Sequence, residues 1–394
     1  MTREELTNRF LESNSTNYIL QVATGFGKSR LALQKIDTWY TEECKILIVI
    51  PKLVLIPNWK EEIKKWKYEK MLNSITFTTY VSLPKYCGEK WDVVLLDEAH
   101  HTSERCREAM DCLHSRVKHL IALSATLKRE MLAYFRYSWK AELFKVDVKD
   151  AIEDNVLPDP KIILLPLSLD KSNVNQIIEK KSKRTDVRPL TISFADKWKY
   201  KSYTGPLRIL CTQQQYYDDL SNLIEWYKQK GKSNAIMKNM WLHKAGERLK
   251  WLAKQKEEII KSILKQLKNH RVLTFCQSIE QSASLGCPCV NIKVGLDALA
   301  RFNAKAIKHI SAVAMVDEGC NLSDCKIGLF QMINASDRMV CQRVGRILRH
   351  KEPVLIFPYY RNTREEEIIN EIIKDYNPNL ITRVFSYNNI KQYL

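Results

Sequence analysis

Residues 23–29, ATGFGKS, have the composition of a loop that binds phosphate groups. The loop follows an apolar, strand-like run and opens a helical pattern, so its glycines and the helix N-terminus would turn backbone N–H groups toward an anion. The lysine would bind the β- and γ-phosphates of a nucleotide, and the serine would bind Mg²⁺. Val22 stands where the general pattern has its first glycine, so a glycine-containing strand–helix turn remains the alternative. The predicted nucleotide ligands are Thr24, Gly25, Gly27, Lys28 and Ser29.

A second candidate site is the acidic pair that follows the apolar run 93–96, in the sequence Asp97-Glu98-Ala99-His100. An uninterrupted apolar run is typical of a buried parallel strand, whose C-terminal end lies at the sheet edge where ligands bind. Asp97 would hold Mg²⁺, directly or through water, and Glu98 would orient and deprotonate an attacking water. An acid-rich helix N-terminus is the alternative when this sequence is taken alone. Together with the glycine loop, it indicates nucleotide hydrolysis, with ATP and Mg²⁺ as the expected ligands.

The elements that would position these residues alternate between short β-branched runs and helical patterns, which predicts α/β domains with parallel sheets. The predicted helices include Lys28–Trp39 and Asn58–Trp66. The strands predicted in the first part are Tyr18–Val22, Lys45–Ile50, Ser74–Thr78, Val93–Asp97, His119–Leu123 and Phe144–Val148. Those predicted further along are Ile162–Leu167, Arg271–Cys276, Cys289–Ile292, Ser311–Val316, Ile327–Ile333 and Pro353–Pro358.

This alternation divides the chain into four segments. Residues 1–150 are predicted to form one α/β domain, and residues 271–394 the main part of a second. Residues 151–170 are predicted to cross between them, because prolines interrupt any helix there, and to end in the first strand of the second domain. Residues 171–270 are predicted to be a basic, mostly helical insertion in the second domain.

The net charge of +18 is concentrated in this insertion. Residues 171–270 hold 22 Lys and Arg against nine Asp and Glu, and such an excess indicates a polyanionic partner, nucleic acid first of all. Lys197, Trp198 and Lys199 interleave cations with an aromatic ring, which suits phosphate contact and base stacking. A half-buried strand with an exposed lysine face would give the same alternation. Residues 180–184, KKSKR, suit either a phosphate contact or a mobile loop.

The remaining composition argues against several classes of protein. The first ten residues lack the apolar core of an export signal, and no stretch reaches the roughly 18 apolar residues of a membrane span. The eleven cysteines lack the paired spacing of a zinc site, and we expect them to be reduced core thiols. We therefore expect a cytoplasmic protein without a membrane partner, and we expect it to be a monomer.

The motifs occur in the order found in the superfamily 2 helicases and translocases, and the chain resembles that family along most of its length. The glycine loop resembles motif I, and DEAH resembles motif II. The most specific match is that of residues 342–349, QRVGRILR, to motif VI. Further matches are residues 51–59 to motif Ia, 124–126 to motif III, 272–278 to motif IV and 317–322 to motif V. Residues 78–83 match the TTY-x-SL element of Swi/Snf-type and UvsW-type members.

The resemblance implies two RecA-like parallel-sheet domains in tandem, with the basic insertion in the second. Segment 342–349 lies more than 300 residues from Lys28 and is therefore assigned to the other domain. From there Arg346 and Arg349 would reach the γ-phosphate across a cleft as arginine fingers, and Gln342 would help to position the water. The expected coupling residues are Ser124 and Thr126, and the expected nucleic-acid contacts are Pro51, Lys52, Thr79, Tyr80, Gly319 and Asn321.

The function implied by the resemblance is that of an ATP-dependent DNA helicase or translocase of the UvsW-like and Swi/Snf-like branch. The composition suits a phage or a low-GC bacterium, with the host cytoplasm as the location in the first case. An RNA helicase is one alternative. Another is a DNA-remodelling ATPase that does not unwind, as a subunit of a repair or restriction complex. No convincing counterpart of the family's adenine-reading glutamine precedes the phosphate loop, so the base-reading residue is left open.

Overall fold

The first part of the chain forms a parallel sheet. The computed structural model describes residues 2–182, 187–232, 234–290, 296–313, 322, 324–333 and 343–394. Among these residues the first sheet has six strands in the order β3-β2-β4-β5-β1-β6, and neighbouring strands run parallel. Its strands are β1 (Asn17–Val22), β2 (Ile46–Ile50), β3 (Ile75–Thr79), β4 (Trp91–Leu96), β5 (Val117–Ser124) and β6 (Glu142–Val146).

Three of the helices of this part begin at recognisable capping residues. Thr2 and Glu5 form a capping box at the start of α1, Ser103 caps α4, and Asp147 forms a capping box at the start of α6. These caps satisfy backbone N–H groups that have no partner within the first turn of a helix. The helices are α1 (Arg3–Glu12), α2 (Lys28–Asp37), α3 (Ile56–Lys65), α4 (Glu104–Leu113), α5 (Arg129–Ser138) and α6 (Val148–Glu153).

The second part forms another parallel sheet. Within the described ranges it has seven strands in the order β12-β13-β11-β14-β15-β7-β16, so the strand that follows the crossing segment pairs with strands near the end of the chain. The strands are β7 (Lys161–Leu167), β11 (Val272–Phe275), β12 (Cys289–Val290), β13 (His309–Ala312), β14 (Ile327–Phe330), β15 (Val354–Tyr360) and β16 (Ile381–Arg383). The helices beside them are α10 (Ile279–Ser284), α11 (Leu296–Asn303) and α12 (Arg364–Ile372), and residues 343–347 are also helical.

The basic region between β7 and β11 starts with a small sheet that the sequence analysis did not predict. Its strands have the order β8-β10-β9, with β8 antiparallel and β9 parallel to β10. Only β10 buries every second side chain, whereas β8 and β9 are mostly exposed, so the alternating pattern of a strand is weak in both. The elements are β8 (Gln176–Lys180), β9 (Leu190–Ser193), β10 (Leu207–Cys211), α7 (Gln213–Lys230), α8 (Ala235–Gln255) and α9 (Glu257–Gln266).

The predicted α/β architecture is confirmed, and every predicted strand has a counterpart in the described residues. Their ends are displaced by a few residues, and the predicted ends Ile292 and Val316 lie outside the described residues. The prediction worked because β2 and β4 are almost wholly apolar and are buried along their length, as parallel strands covered on both faces are. Strand β16 was missed because three residues carry too little pattern. No helix in the described part of the chain has the length and apolarity needed to cross a membrane.

Candidate nucleotide-binding site

The glycine loop joins β1 to α2, as predicted from the sequence. Gly25 and Gly27 have φ angles of 94° and 103°, in the left-handed region that favours glycine. Phe26 between them is fully buried and anchors the loop to the core. The buried Phe26 therefore fixes the position of the backbone N–H groups at the start of α2. Backbone N–H groups must be held in place in this way to bind a phosphate.

Lys28 and the acidic pair line one cavity of about 370 Å³. Burial lowers the pKa of Lys28, whereas the nearby Glu98 and Asp97 raise it. Burial and the charge of Glu98 raise the pKa of Asp97 to about 6. A hydrogen bond of 2.9 Å from Trp59 Nε1 to Asp97 Oδ2 acts in the opposite direction. The cavity thus holds opposite charges at close range in a partly desolvated space.

Glu98 has the features of a group held ready for a ligand. Its φ and ψ of 52° and 56° place a residue other than glycine in the left-handed region, a conformation that is strained and is often found at functional sites. Its Oε2 is buried and accepts no hydrogen bond within the described ranges, and the same holds for the hydroxyl of Thr24. Buried polar atoms normally have partners. These two atoms therefore fit a site that takes a polar ligand, water or a cation.

A short relay of polar contacts connects the acidic pair to the end of β5. His100 Nδ1 lies 3.4 Å from Glu98 Oε2 and forms a hydrogen bond of 3.1 Å with Ser124 Oγ. Ser124 is fully buried, and its hydroxyl donates to the carbonyl oxygen of Thr126 at 2.8 Å. Ser124 and Thr126, which were predicted to couple the nucleotide state to nucleic-acid binding, are therefore connected to Glu98 through His100.

Residues from the part of the chain that forms the second sheet line the opposite side of the cavity. Arg346, in the helical segment 343–347, is 5% exposed and lines the cavity with Lys28 and Glu98. Arg349 also lines it and packs against Gly25, with Cγ 4.0 Å from the position of a β-carbon there. Residues more than 300 positions apart in the sequence thus meet around one space. Gln342, the third residue predicted on this wall, lies outside the described residues.

The residues predicted to contact nucleic acid occupy different environments. Pro51 and Lys52 follow β2 and are partly exposed, and Thr79 ends β3. Tyr80 is 5% exposed, and its hydroxyl donates to the carbonyl oxygen of Asp97 at 2.7 Å. The Tyr80 ring therefore supports the acidic pair from the interior, and burial keeps it from the surface where a nucleic acid would bind. Gly319 and Asn321 lie outside the described residues.

The aromatic–basic segment of the insertion is a 3₁₀ helix followed by a turn, not a half-buried strand. Trp198 is 77% exposed. Lys197 forms an ion pair with Asp219 of α7, and Lys199 pairs with Asp196 at 2.8 Å. The ring of Trp198 is thus open to solvent, while both lysines already have carboxylate partners. Of the basic run 180–184, residues 183 and 184 lie outside the described residues.

Trp59 and Arg3 are among the cavity residues that were not selected from the sequence. Trp59 was part of the quoted motif Ia segment, and a buried indole N–H that needs an acceptor is the signal that would have linked it to Asp97. Arg3 begins α1, a helix that was not predicted. A β-carbon built on Gly27 would lie 2.6 Å from a guanidinium nitrogen of Arg3, so this residue lies directly beside the phosphate loop.

Comparison with known proteins agrees with the motif order and the geometry. Residues 2–129 match the family described as the type III restriction enzyme, res subunit. Over 361 residues the chain is 24% identical to the DNA 3'-5' translocase XPB2 of Sulfurisphaera tokodaii, a match that covers 85% of this chain and 75% of that protein. The chain is thus similar in sequence to this restriction-enzyme subunit family and to this DNA translocase.

The fold of the chain is also similar to those of solved structures. The structure of S. cerevisiae Dbp5 bound to RNA and ADP BeF3 gives a TM-score of 0.62 at 11% identity and covers 99% of this chain and 90% of Dbp5. The Pyrococcus furiosus Hef helicase domain gives a TM-score of 0.50 at 12% identity, covering 94% of this chain and 97% of that domain. These likenesses support the assignment of the two parallel sheets to tandem RecA-like domains.

Proposed function

We propose that this protein belongs to superfamily 2 of the helicases and is an ATP-dependent DNA helicase or translocase, whose two RecA-like domains couple ATP hydrolysis to movement on DNA. The observation that carries the proposal is the cavity shared by Lys28 and Glu98 of the first domain and Arg346 of the second. A nucleotide bound there would touch both domains. Hydrolysis would remove a group that both hold, so the domains could separate and advance along a strand.

The residues of the cavity have distinct roles in this proposal. Lys28 and the loop hold the β- and γ-phosphates. Ser29 and Asp97 would hold Mg²⁺, which neutralises phosphate charge when it is bound. Glu98 orients the attacking water and accepts its proton, and the acceptor is Oε2, which accepts no hydrogen bond within the described residues. Arg346 stabilises the negative charge that develops on the γ-phosphate.

Coupling to DNA would run through the contacts behind the acidic pair. Because His100 lies between Glu98 and Ser124, a change at the γ-phosphate alters the hydrogen bond at the end of β5. Tyr80 connects Asp97 in the same way to the end of β3. Both contacts would link a bound nucleotide to the C-terminal ends of two strands of the first sheet, β5 and β3. We propose that Ser124 and Thr126 transmit the nucleotide state from there.

Three surfaces are proposed to bind DNA. The basic region 171–270 supplies the excess positive charge, and Trp198 offers an exposed ring on which a base can stack. The segments that follow β2 and β3 expose Leu53 and Val81, at 59% and 82%, next to Lys52 and Thr79. Gly319 and Asn321 are proposed as further contacts on the family resemblance alone. Tyr80 is assigned a supporting role because it is buried.

The choice of DNA over RNA is supported by one relative. The XPB2 relative is described as a DNA translocase, and its match covers most of both chains. The TTYVSL sequence at 78–83 supports the UvsW-like and Swi/Snf-like branch within the DEAH-type members, and the composition supports a phage or low-GC bacterial origin. We further propose that the motor domains are residues 1–150 and 271–394, with the strand in 151–170 belonging to the second.

A second candidate function is a DNA-translocating ATPase that displaces proteins without separating strands. The match of residues 2–129 to the res subunit of type III restriction enzymes favours it, because that description names one subunit of a larger enzyme. Both functions use the same cavity and the same DNA surfaces. They differ only in what happens to the duplex.

The test of the proposed function is ATP hydrolysis by the purified protein across single-stranded, duplex, forked and four-way DNA, with RNA alongside. We expect DNA to stimulate turnover and RNA to compete poorly. Turnover that ignores both nucleic acids would rule out a nucleic-acid motor. Strand separation on forked and blunt duplexes then distinguishes a helicase from a translocase that does not unwind. Stimulation by RNA alone would favour the RNA helicase alternative.

A further inference from the structure

The two glycines of the phosphate loop have different neighbours. A β-carbon built on Gly25 would lie 3.8 Å from the Gly345 carbonyl oxygen and 4.0 Å from Arg349 Cγ, so this glycine faces the second domain. A β-carbon built on Gly27 would lie 2.6 Å from Arg3 Nη2 and 3.7 Å from Arg3 Cζ. Gly27 therefore faces the guanidinium group of a residue that belongs to the first domain.

The absence of a side chain on Gly27 lets Arg3 reach the loop. A β-carbon does not come within 2.6 Å of a nitrogen in real structures, so a side chain at position 27 would displace the guanidinium group. Arg3 Cζ also lies 5.9 Å from the centroid of the Phe26 ring, the buried loop residue that precedes Gly27. Arg3 is thus held against the phosphate loop at two successive residues.

The side chain of Arg3 has donors that the protein does not use. Within the described residues it forms neither an ion pair nor a hydrogen bond, although a guanidinium group has five N–H donors. Burial and the nearby charge of Arg30 lower the pKa of Arg3. A partly buried cation beside a second cation is unfavourable until an anion neutralises it. Arg3 therefore fits an anionic ligand at the loop.

The position of Arg3 indicates which phosphates it would bind. Arg3 lines the same cavity as Lys28. Arginine binds phosphate through two parallel hydrogen bonds, so the guanidinium group beside Gly27 has the chemistry of a phosphate ligand. Arg346 and Arg349 are assigned to the γ-phosphate from the second domain. Because Arg3 lies at the other glycine and in the first domain, the phosphates left for it are those that remain in ADP.

We propose that Arg3 is a further phosphate ligand, which binds the diphosphate part that ATP and ADP share. The inference rests on the proposed function in one respect, because it takes the cavity as the nucleotide site. It goes further in naming a cation that none of the matched motifs contains. Arg3 and the loop belong to the same domain, so their contact with the nucleotide persists when the second domain withdraws. Arg3 therefore helps the first domain to retain ADP after hydrolysis.

The experiment measures the Kd of ADP and of ATP by calorimetry in Glu98→Gln, which should bind ATP without hydrolysing it. Adding Arg3→Gln should raise both values by the same factor, roughly tenfold or more, because hydrogen bonds to a charged group are lost. Adding Arg9→Gln is the matched control and should change neither. Arg9 is an exposed arginine of the same helix and also lies over a buried ring, that of Phe144, at 5.5 Å.

Two further measurements separate a phosphate contact from a structural one. Thermal unfolding without nucleotide should be the same in Arg3→Gln as in its parent, whereas the stabilisation by ADP should be smaller. Arg3→Lys keeps the charge but not the paired donors, so its loss of ADP affinity should lie between those of the parent and Arg3→Gln. If Arg3→Gln does not fold, Arg3→Lys decides, and parental affinity for both nucleotides would overturn the inference.

The results also separate this inference from the proposed function. Unchanged ADP affinity in Arg3→Gln, or a loss confined to ATP, overturns the inference while a DNA-stimulated motor stands. A lower unfolding temperature without nucleotide, together with normal ADP affinity, also overturns it and makes Arg3 an anchor of the loop. Equal losses for ADP and ATP support it, even if DNA stimulates no turnover and the motor fails. If the parent protein binds neither nucleotide, both are overturned.

Discussion

Gly345 lies against Thr24, and only the absence of a side chain on Gly345 permits the contact. A β-carbon built on Gly345 would lie 2.5 Å from Thr24 Cβ and 3.2 Å from the Thr24 carbonyl oxygen. The first distance is shorter than β-carbons reach in real structures, and the second involves backbone that cannot easily move. Thr24 belongs to the phosphate loop, and Gly345 to the helical segment that carries Arg346. Gly345 therefore lets the helical segment that carries Arg346 pack closely against the phosphate loop.

Gly345→Ala is expected to hold the cleft partly open and so to lower kcat for DNA-stimulated ATP hydrolysis. Overpacking of a tight contact typically costs 1–3 kcal/mol, which corresponds to roughly 5- to 150-fold in rate. Gly246→Ala is the matched control, because a β-carbon there meets no atom within 4 Å. The control should turn over as the wild type does. A normal kcat in Gly345→Ala would show that the close contact between Gly345 and Thr24 is not needed for ATP hydrolysis.

Arg346→Ala is expected to lower kcat strongly with little loss of DNA affinity. Arg346 is buried in the cavity wall with Lys28 and Glu98, so its charge acts on the nucleotide. Arginine fingers contribute roughly 10³–10⁵ to the rate in well-studied phosphoryl-transfer enzymes. Single-turnover ATP hydrolysis and DNA binding by fluorescence anisotropy are measured on the same preparation. Weakened DNA binding with normal hydrolysis would instead place Arg346 on the DNA track.

Glu98→Gln and Lys28→Ala should separate hydrolysis from binding. The glutamine keeps the size of Glu98 but cannot accept a proton, so ATP should bind normally while turnover falls by about 10²–10⁴, the usual contribution of a general base. Lys28→Ala removes the cation at the phosphates and should weaken ATP binding itself. Titration of a fluorescent ATP analogue and a turnover assay distinguish the two. Near-normal turnover in Glu98→Gln would show that another group acts as the base.

The parts of this structure that could be predicted from the sequence are those with strong local patterns. The glycine loop and β4 were predictable, because φ angles near 100° favour glycine and a strand buried on both faces must be apolar. The contact between Trp59 and Asp97 was not, since it depends on the pairing of β2 with β4. Arg3 was missed because α1 buries only Leu6 and Phe10 and is otherwise polar. The small sheet was missed because its outer strands bury few side chains.

The acid limb of kcat/KM is expected near pH 6, because burial and Glu98 raise the pKa of Asp97 to about 6. Below that pH Asp97 is protonated and loses its charge for the metal, so activity falls as the pH decreases. The hydrogen bond from Trp59 lowers this pKa, so Trp59→Phe should move the limb to higher pH. Trp226→Phe, an exposed tryptophan of α7, is the control. A limb that stays in place in Trp59→Phe would show that another group controls it.

The junction of α8 and α9 is tied to the second domain by a buried ion pair. Lys256 is 0% exposed, and its Nζ lies 2.6 Å from Glu365 Oε1 and donates to the Pro358 carbonyl oxygen at 3.1 Å. The other carboxylate oxygen of Glu365 accepts from the backbone N–H of Tyr360 at 3.1 Å. Strand β15 and helix α12 therefore share this pair with the two helices that end the basic region.

Lys256→Met is expected to destabilise the protein without touching the nucleotide cavity. It leaves the Glu365 carboxylate buried without its counter-charge, and breaking a buried pair in this way costs about 3–5 kcal/mol. The free energy of unfolding in urea measures the loss, with Lys254→Met as the control, because Lys254 is an exposed neighbour in α8. The double variant Lys256→Met with Glu365→Gln should recover part of the loss, since no buried charge remains. A loss below about 1 kcal/mol in Lys256→Met would mean that water reaches Glu365, and that the pair does not hold the basic region to the second domain.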